Sequence, residues 1–373
     1  MKPGTPASIG ARAAASGLAL GLIAVLLAAA AGAAQAAVPS TFFGMSAIRA
    51  TAEDYEQIKE TGAGSVRVEV PWRLVQKSAG GPFDFSPIDV RFRDAAATGL
   101  RPFPLLWRAP DFLTSSTKII GPVKTSEQRQ GWTAFVTAAL GRYGPGGEFW
   151  VENPQLDATL APRDWLVWNE QSVLVFWDPA PDPGEYARLI RLTRAAADKV
   201  APSVRLIAGG IYGEPSHEKS IRAESFLRRL YRKPGIKQDL AGFSSHPYAV
   251  NIAGVKRQIK ELRKVAVKAG ERDARMYIGE IGWASDGFGG VLVKNKAKQA
   301  ELLDRAYRVF LKRRNAWNIE GAYWFTWRDY NEDSLCTWCN KAGLVTRQAE
   351  KKPAARAYKK LVAEKTSEAG ESG

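Results

Sequence analysis

The chain is poor in the residues that many enzyme classes depend on. Among 373 residues there are two cysteines, two histidines and three methionines. A zinc site needs a cluster of Cys, His and acidic ligands. Only His217 and His246 are present, with no His/Asp cluster in the sequence, which argues against a metal-dependent hydrolase. The two cysteines, Cys336 and Cys339, lie together in SLCTWCNK. In an exported chain such a pair reads as a small local disulfide. No G-x-S-x-G elbow is present, which argues against an esterase-type serine nucleophile. Basic runs interleaved with aromatics, which stack single-stranded bases, are also missing, so nucleic acid is not an expected partner.

Long apolar runs are scarce too. The exception is the N-terminus, where Lys2 and Arg12 precede an Ala/Leu/Gly stretch from about Ala13 to Ala31, followed by Ala34-Gln35-Ala36. A basic start, an apolar centre and a small-x-small site describe a secretory signal peptide, with cleavage expected after Ala36. No later segment approaches the roughly 18 apolar residues of a membrane span. The mature chain is expected to be secreted, with no membrane span once the signal is removed.

What the chain has in excess is positive charge: 53 Lys and Arg against 38 Asp and Glu. Only two of the basic residues lie in the signal, so the mature chain keeps a net charge of +13. Such a balance suits an anionic partner, among them cell-envelope polymer, acidic polysaccharide or extracellular DNA; equally, it serves solubility.

Apolar runs then alternate with helix-period segments to the end of the chain. Candidate strands are residues 41–48, 65–72, 101–107, 164–170, 204–211, 240–248, 275–283 and 319–327. Between them, Tyr186, Leu189, Ile190, Thr193 and Ala197 share one helical face. Ile252, Val255, Ile259, Leu262 and Ala266 share another, and Leu302, Leu303, Ala306, Val309 and Phe310 a third. Strands apolar on both faces belong in parallel sheets. Eight such βα units without an internal linker predict one (β/α)8 barrel over residues 37–365. A doubly wound sheet would show a Gly-rich phosphate turn after its first strand, and FFGMSAIRA has none. Residues 142–155 read as an irregular loop, and the chain beyond Tyr358 as frayed, with residues 366–373 a disordered tail.

In this architecture chemistry sits at the C-terminal ends of the strands. Strand two offers Arg67 and Glu69 on one face, strand four ends in Asn169 and Glu170, and strand six in His246 and Tyr248. Strand seven contains Glu280, and strand eight ends in Trp324, Trp327 and Asp329. A buried carboxylate without a partner is costly. One glutamate here could be a structural ion pair with Arg67. Two of them on one rim are the minimum equipment for glycoside hydrolysis, as acid and as nucleophile or base. Seven tryptophans at or near strand ends suit sugar faces: Trp72, Trp107, Trp168, Trp177, Trp283, Trp324 and Trp327. Ordinary packing against helices would place some of them equally well. Glu69, Asp329, Glu332 and Asp333 either bind hydroxyls or ring a solvated rim.

This ordered set resembles clan A of the retaining glycoside hydrolases, most nearly families 39 and 5, which include β-xylosidases, iduronidases and endo-glycanases. The likeness runs from FFGMSAI to KPAARAY. It implies Glu170 as general acid/base, Glu280 as nucleophile and Asn169 as ligand of the sugar 2-hydroxyl. Tyr248 and Arg67 would hydrogen-bond the nucleophile, His246 would line the site, and Trp324 would floor the subsite of the attacked sugar. Trp107 is a further substrate-binding candidate. No metal and no cofactor are implied, a glycan is the expected partner, and a monomer is expected. The surroundings of Glu280, IGEIGWASDG, are smaller than is usual in the clan, and SLCTWCNK has no counterpart there. The competing reading is a non-catalytic carbohydrate-binding barrel that targets envelope polymer.

Overall fold

The computed structural model describes Met1 and residues 38–114, 118–287, 290–331 and 336–367. Eight parallel strands close into one barrel in chain order: β1 Phe43–Ser46, β2 Ser65–Pro71, β3 Arg101–Trp107, β4 Asp164–Val167, β5 Arg205–Tyr212, β6 Gly242–His246, β7 Arg275–Ile281 and β8 Ile319–Trp324. Each strand is followed by a long helix: α1 Ala52–Glu60, α2 Ser86–Ala97, α3 Ser126–Tyr143, α4 Pro183–Val200, α5 Ala223–Leu230, α6 Ile252–Lys268, α7 Lys296–Trp317 and α8 Pro353–Ser367. The predicted (β/α)8 fold is therefore the observed one.

The helices begin where the sequence supplies acceptors for their free N–H groups. Thr51 and Thr125 each form a capping box with the residue three positions on, and Asp182, Asn251 and Asn295 cap α4, α6 and α7. The faces predicted for α4 and α6 are buried. On α7 the predicted face is buried except for Val309, which is half-buried.

Two apolar layers result. The strands turn Phe103, Leu105, Leu166, Ile207, Tyr277 and Tyr323 into the barrel, where Phe103 stacks against Tyr277 and Tyr323 at centroid distances of 4.6 and 4.9 Å. The alternate residues face the helices. There Trp132, Trp168, Trp177 and Tyr186 meet edge to face at 5.6–5.8 Å. Such pairs add about 0.5–1.5 kcal/mol each beyond burial.

Three expectations change. Residues 142–155 are not a plain loop: Glu148–Glu152 is helical and buries Phe149 and Trp150. The chain beyond Tyr358 is not frayed, since α8 continues to Ser367, two residues into the expected tail, with Leu361 and Val362 buried. Strand four ends at Val167, three residues earlier than its apolar pattern suggests. The expected signal peptide lies almost wholly outside the described residues, as do residues 368–373, Glu332 and Asp333. Among the described residues, no helix is long and apolar enough to cross a membrane.

Candidate active site

The early end of β4 is what creates the site. After Val167 the backbone leaves the extended region, with Trp168 at φ 70° and Glu170 at φ 46°. Left-handed backbone is costly for side chains of this size and clusters where structure serves function. Here the turn is held on both sides: the N–H of Trp168 donates to the Leu106 carbonyl at 2.7 Å and that of Glu170 to Gly210 at 2.9 Å. Trp168 is sent outward into the helical layer, and Asn169 and Glu170 face the barrel mouth.

Strand five makes room for this turn. A Cβ on Gly209 would lie 1.7 Å from the Trp168 carbonyl oxygen, and one on Gly210 would lie 1.8 Å from the His246 ring. The Gly-Gly of β5 is thus the space in which the β4 turn and the imidazole sit.

Around it the expected residues converge. Arg67 donates to Glu280 Oε1 at 2.5 Å and to Asn169 Oδ1 at 2.7 Å. The Tyr248 hydroxyl donates to Glu280 Oε2 at 2.8 Å. His246 Nδ1 lies 2.7 Å from Glu170 Oε1 and 3.4 Å from Glu280 Oε2. One oxygen of Glu170, one of Glu280 and a ring nitrogen of His246 all lie within 4.8 Å of one another. All six residues are buried, none more than 8 % exposed.

The two carboxylates are pushed apart in acidity. Burial raises Glu170 above the ordinary carboxylate range, and the charge of Glu280 adds to that; the contacts with His246 and the charge of Arg67 offset it only in part. Burial would raise Glu280 too, but there the opposing terms win. The imidazole, the Arg67 guanidinium and the Tyr248 hydroxyl together hold it below its usual value. Tyr248 is driven well above a free phenol, by burial first and then by both glutamates, so it stays a hydrogen-bond donor.

Among the described residues, Glu170, His246 and Glu280 are also the one group with the spacing of metal ligands. Their chemistry does not favour that use. Both oxygens of Glu280 already accept from Arg67 and Tyr248, and a cation bound there would face the guanidinium.

The tryptophans divide. Trp72, Trp168, Trp177, Trp283, Trp324 and Trp327 are at most 1 % exposed, and every one of their indole N–H groups is bonded within the protein. Trp324 in particular does not reach the mouth. It alternates with the inward-facing Tyr323, tilts against Trp283 and donates to the Ala342 carbonyl at 3.0 Å. Its successor, Phe325, just past the end of β8, is the aromatic near Tyr248, at 6.4 Å. Trp107 does stand at the mouth, half-buried, with a buried indole N–H that has no protein partner. Glu69 lies on the same strand face as Arg67 and is half-buried. Burial raises it, against the charges of Arg67 and Arg91. Asp329 neither binds at the mouth nor rings a solvated rim: it is buried in an ion pair with Lys352 at 2.7 Å.

Sequence reasoning missed two aromatics. Tyr212, one residue past the expected end of β5, lies 6.0 Å from Tyr248. Trp338 packs on Tyr248 at 5.0 Å, carried by the turn that the Cys336–Cys339 disulfide closes. The aromatic after a strand was the available signal for Tyr212. Trp338 sits in a loop without periodicity and gave none. Beside Tyr212 and Tyr248 a cleft of about 410 Å³ runs out to Asn251 and Arg257.

Two carboxylates of opposed acidity thus stand at the mouth of a closed parallel barrel. Comparison with solved structures agrees at the level of fold. A family 39 glycoside hydrolase from Bacteroides cellulosilyticus superposes with a TM-score of 0.63 at 19% identity, over 86% of this chain and 63% of that one. A monomeric β-xylosidase from Caulobacter crescentus gives 0.60 at 17%, over 88% and 69%. A GH5_18 enzyme from Bifidobacterium longum in complex with Manβ1-4GlcNAc gives 0.61 at 13%, over 86% and 78%. The chain therefore spans less than two thirds of the first of these structures. It has the fold of these family 39 and family 5 enzymes. No protein-family model and no curated protein matches the chain by sequence.

Proposed function

We propose that the protein is a secreted retaining glycoside hydrolase that cleaves O-glycosidic bonds of an oligo- or polysaccharide by double displacement. One observation carries the reading: oxygens of Glu170 and Glu280 approach within 4.8 Å, while their environments drive their acidities in opposite directions. Carboxyl groups about 5–5.5 Å apart suit a covalent intermediate, whereas inversion needs about 6.5–9.5 Å to admit water.

In this reading Glu170, kept protonated by burial, gives its proton to the leaving glycosidic oxygen. Glu280, kept ionised, attacks the anomeric carbon, and the C–O bond to the leaving group breaks as the glycosyl ester forms. Glu170 then takes a proton from water, which attacks the same carbon and releases Glu280. Arg67 and Tyr248 orient the nucleophile. Arg67 also fixes the Asn169 amide by bonding its oxygen, so its NH2 group is left to donate to a sugar hydroxyl. His246 positions Glu170, and Trp107, Phe325 and Trp338 supply apolar faces for the sugar rings.

The structural likeness to a β-xylosidase and to an enzyme holding Manβ1-4GlcNAc supports a β-linked substrate. The basic net charge supports an acidic one. A single chain is the working unit in this proposal, because both carboxylates and all their partners come from one barrel. The test is a screen of defined glycans and aryl glycosides. Glu280→Ala should abolish turnover and azide should restore part of it. Glu170→Ala should retain most activity on substrates with good leaving groups. Full activity of Glu280→Ala would overturn the assignment.

A further inference from the structure

The opposite end of the barrel carries a second, differently built pocket. The strands begin there, and several begin with arginine: Arg101 opens β3, Arg205 opens β5 and Arg275 opens β7. Arg163, just before β4, and Arg314, near the end of α7, complete a group around a cavity of about 230 Å³. Tyr277 and Tyr323, from the lowest aromatic layer of the barrel, also line it.

The charge of this pocket does not balance. Two acidic groups lie in its wall, and each is committed. Asp164 takes both arms of Arg205, at 2.7 and 2.6 Å, and Glu320 pairs with Arg275 at 3.1 Å. These pairs tie β4 to β5 and β7 to β8 and account for two of the five arginines. Arg314 lies 5.9 Å above the Phe42 ring. Arg101 and Arg163 make no side-chain hydrogen bond or ion pair among the described residues. Leaving Arg314 aside, four guanidinium groups against two carboxylates leave an excess of two positive charges around one small cavity.

Stability does not call for such an arrangement. Like charges held together cost energy, and half-buried charges are normally paired. Guanidinium is also the side chain whose planar fork matches tetrahedral oxyanions, and it is less strongly hydrated than lysine. Arginine fills all five basic positions of this pocket, although the chain has 23 lysines beside its 30 arginines.

We propose that this basal pocket is an oxyanion site that takes a phosphate or sulfate group, free or as a sugar ester. Arg101 and Arg163 supply the uncommitted donors, and Arg205 and Arg275 supply the surrounding positive field. The site lies at the N-terminal ends of the strands, across the barrel from Glu170 and Glu280, and does not depend on the glycosidase reading.

The test is isothermal titration of the purified protein at low ionic strength with inorganic phosphate, inorganic sulfate, glucose 6-phosphate and galactose 6-sulfate. Free anion and ester are the two sources, and saturable binding of either class supports the site. Arg101→Gln/Arg163→Gln should weaken that binding roughly tenfold or more, since two charged hydrogen bonds are lost. The charge-matched control Lys359→Gln/Lys360→Gln, on exposed positions of α8, should leave it unchanged. Should the double variant fail to fold, Arg163→Gln alone, at an exposed position, carries the test with a smaller loss. No saturable binding by the wild type, or equal binding by the Arg101/Arg163 variant, would overturn the proposal.

Discussion

Arg67→Met removes the cation that holds Glu280 ionised. Arg67 is 4 % exposed and donates to Glu280 at 2.5 Å and to Asn169 at 2.7 Å, so little solvent is available to replace it. Two unit charges whose centres are about 4 Å apart interact by about 4 kcal/mol at the effective dielectric of a partly buried site. Losing that attraction weakens the acidity of Glu280, although the imidazole and the Tyr248 hydroxyl remain to oppose burial. Breaking a buried pair from one side also costs about 3–5 kcal/mol of stability. The pH dependence separates this account from simple loss of packing. In the wild type, Glu280 titrates below its unfolded value. Its contribution to stability is therefore present above the unfolded carboxylate range and is lost as pH falls through the folded value. In Arg67→Met the folded value rises, because only the imidazole and the Tyr248 hydroxyl are left to oppose burial. Glu280 then contributes less stability than in the wild type as pH rises. Urea unfolding of both proteins from about pH 3 to about pH 8 brackets the unfolded carboxylate range on both sides. The gap between them should widen with pH, and the acid limb of the activity profile should move upward in the variant. A gap that stays constant across pH would refute the reasoning, because Arg67 would then be packing, not charge compensation.

Two further outcomes follow from the same geometry. Gly210→Ala places a methyl group 1.8 Å from the His246 ring, so the imidazole must leave Glu170. The variant should lose about 1–3 kcal/mol of stability through overpacking and most of its activity, read by circular dichroism and initial rates; unchanged kcat would count against the role of His246. Trp324→Phe should cost about 1 kcal/mol, the bond to the Ala342 carbonyl, and leave KM alone, whereas Trp338→Ala should raise KM. The reverse pattern would restore Trp324 to the substrate surface.

Much of this was legible in the sequence, because burial on both faces leaves a strand little choice. β3 matches its apolar run at both ends, and the remaining seven strands fall within about three residues of theirs. Arg67, Asn169, Glu170, His246, Tyr248 and Glu280 converge because strand ends in a closed barrel have only one mouth to face. What failed were features set by local backbone and not by periodicity. DWLVWNE, residues 164–170, reads as strand throughout, yet left-handed backbone at Trp168 and Glu170 ends it at Val167, and the signal for that turn lay in the Gly-Gly of the neighbouring strand. Trp324 could have been placed by parity: Tyr323 fills the barrel, so its neighbour must face the helices. Asp329 could not, since its partner Lys352 is 23 residues away across an irregular segment.

The central claim is that Glu170 and Glu280 act as a close pair through a covalent intermediate. Proton NMR of the first product released from a hydrolysed glycan tests it directly. With carboxylate oxygens within 4.8 Å, the account predicts that the anomeric configuration of the substrate is retained in the newly formed hemiacetal before mutarotation. An inverted product would contradict it.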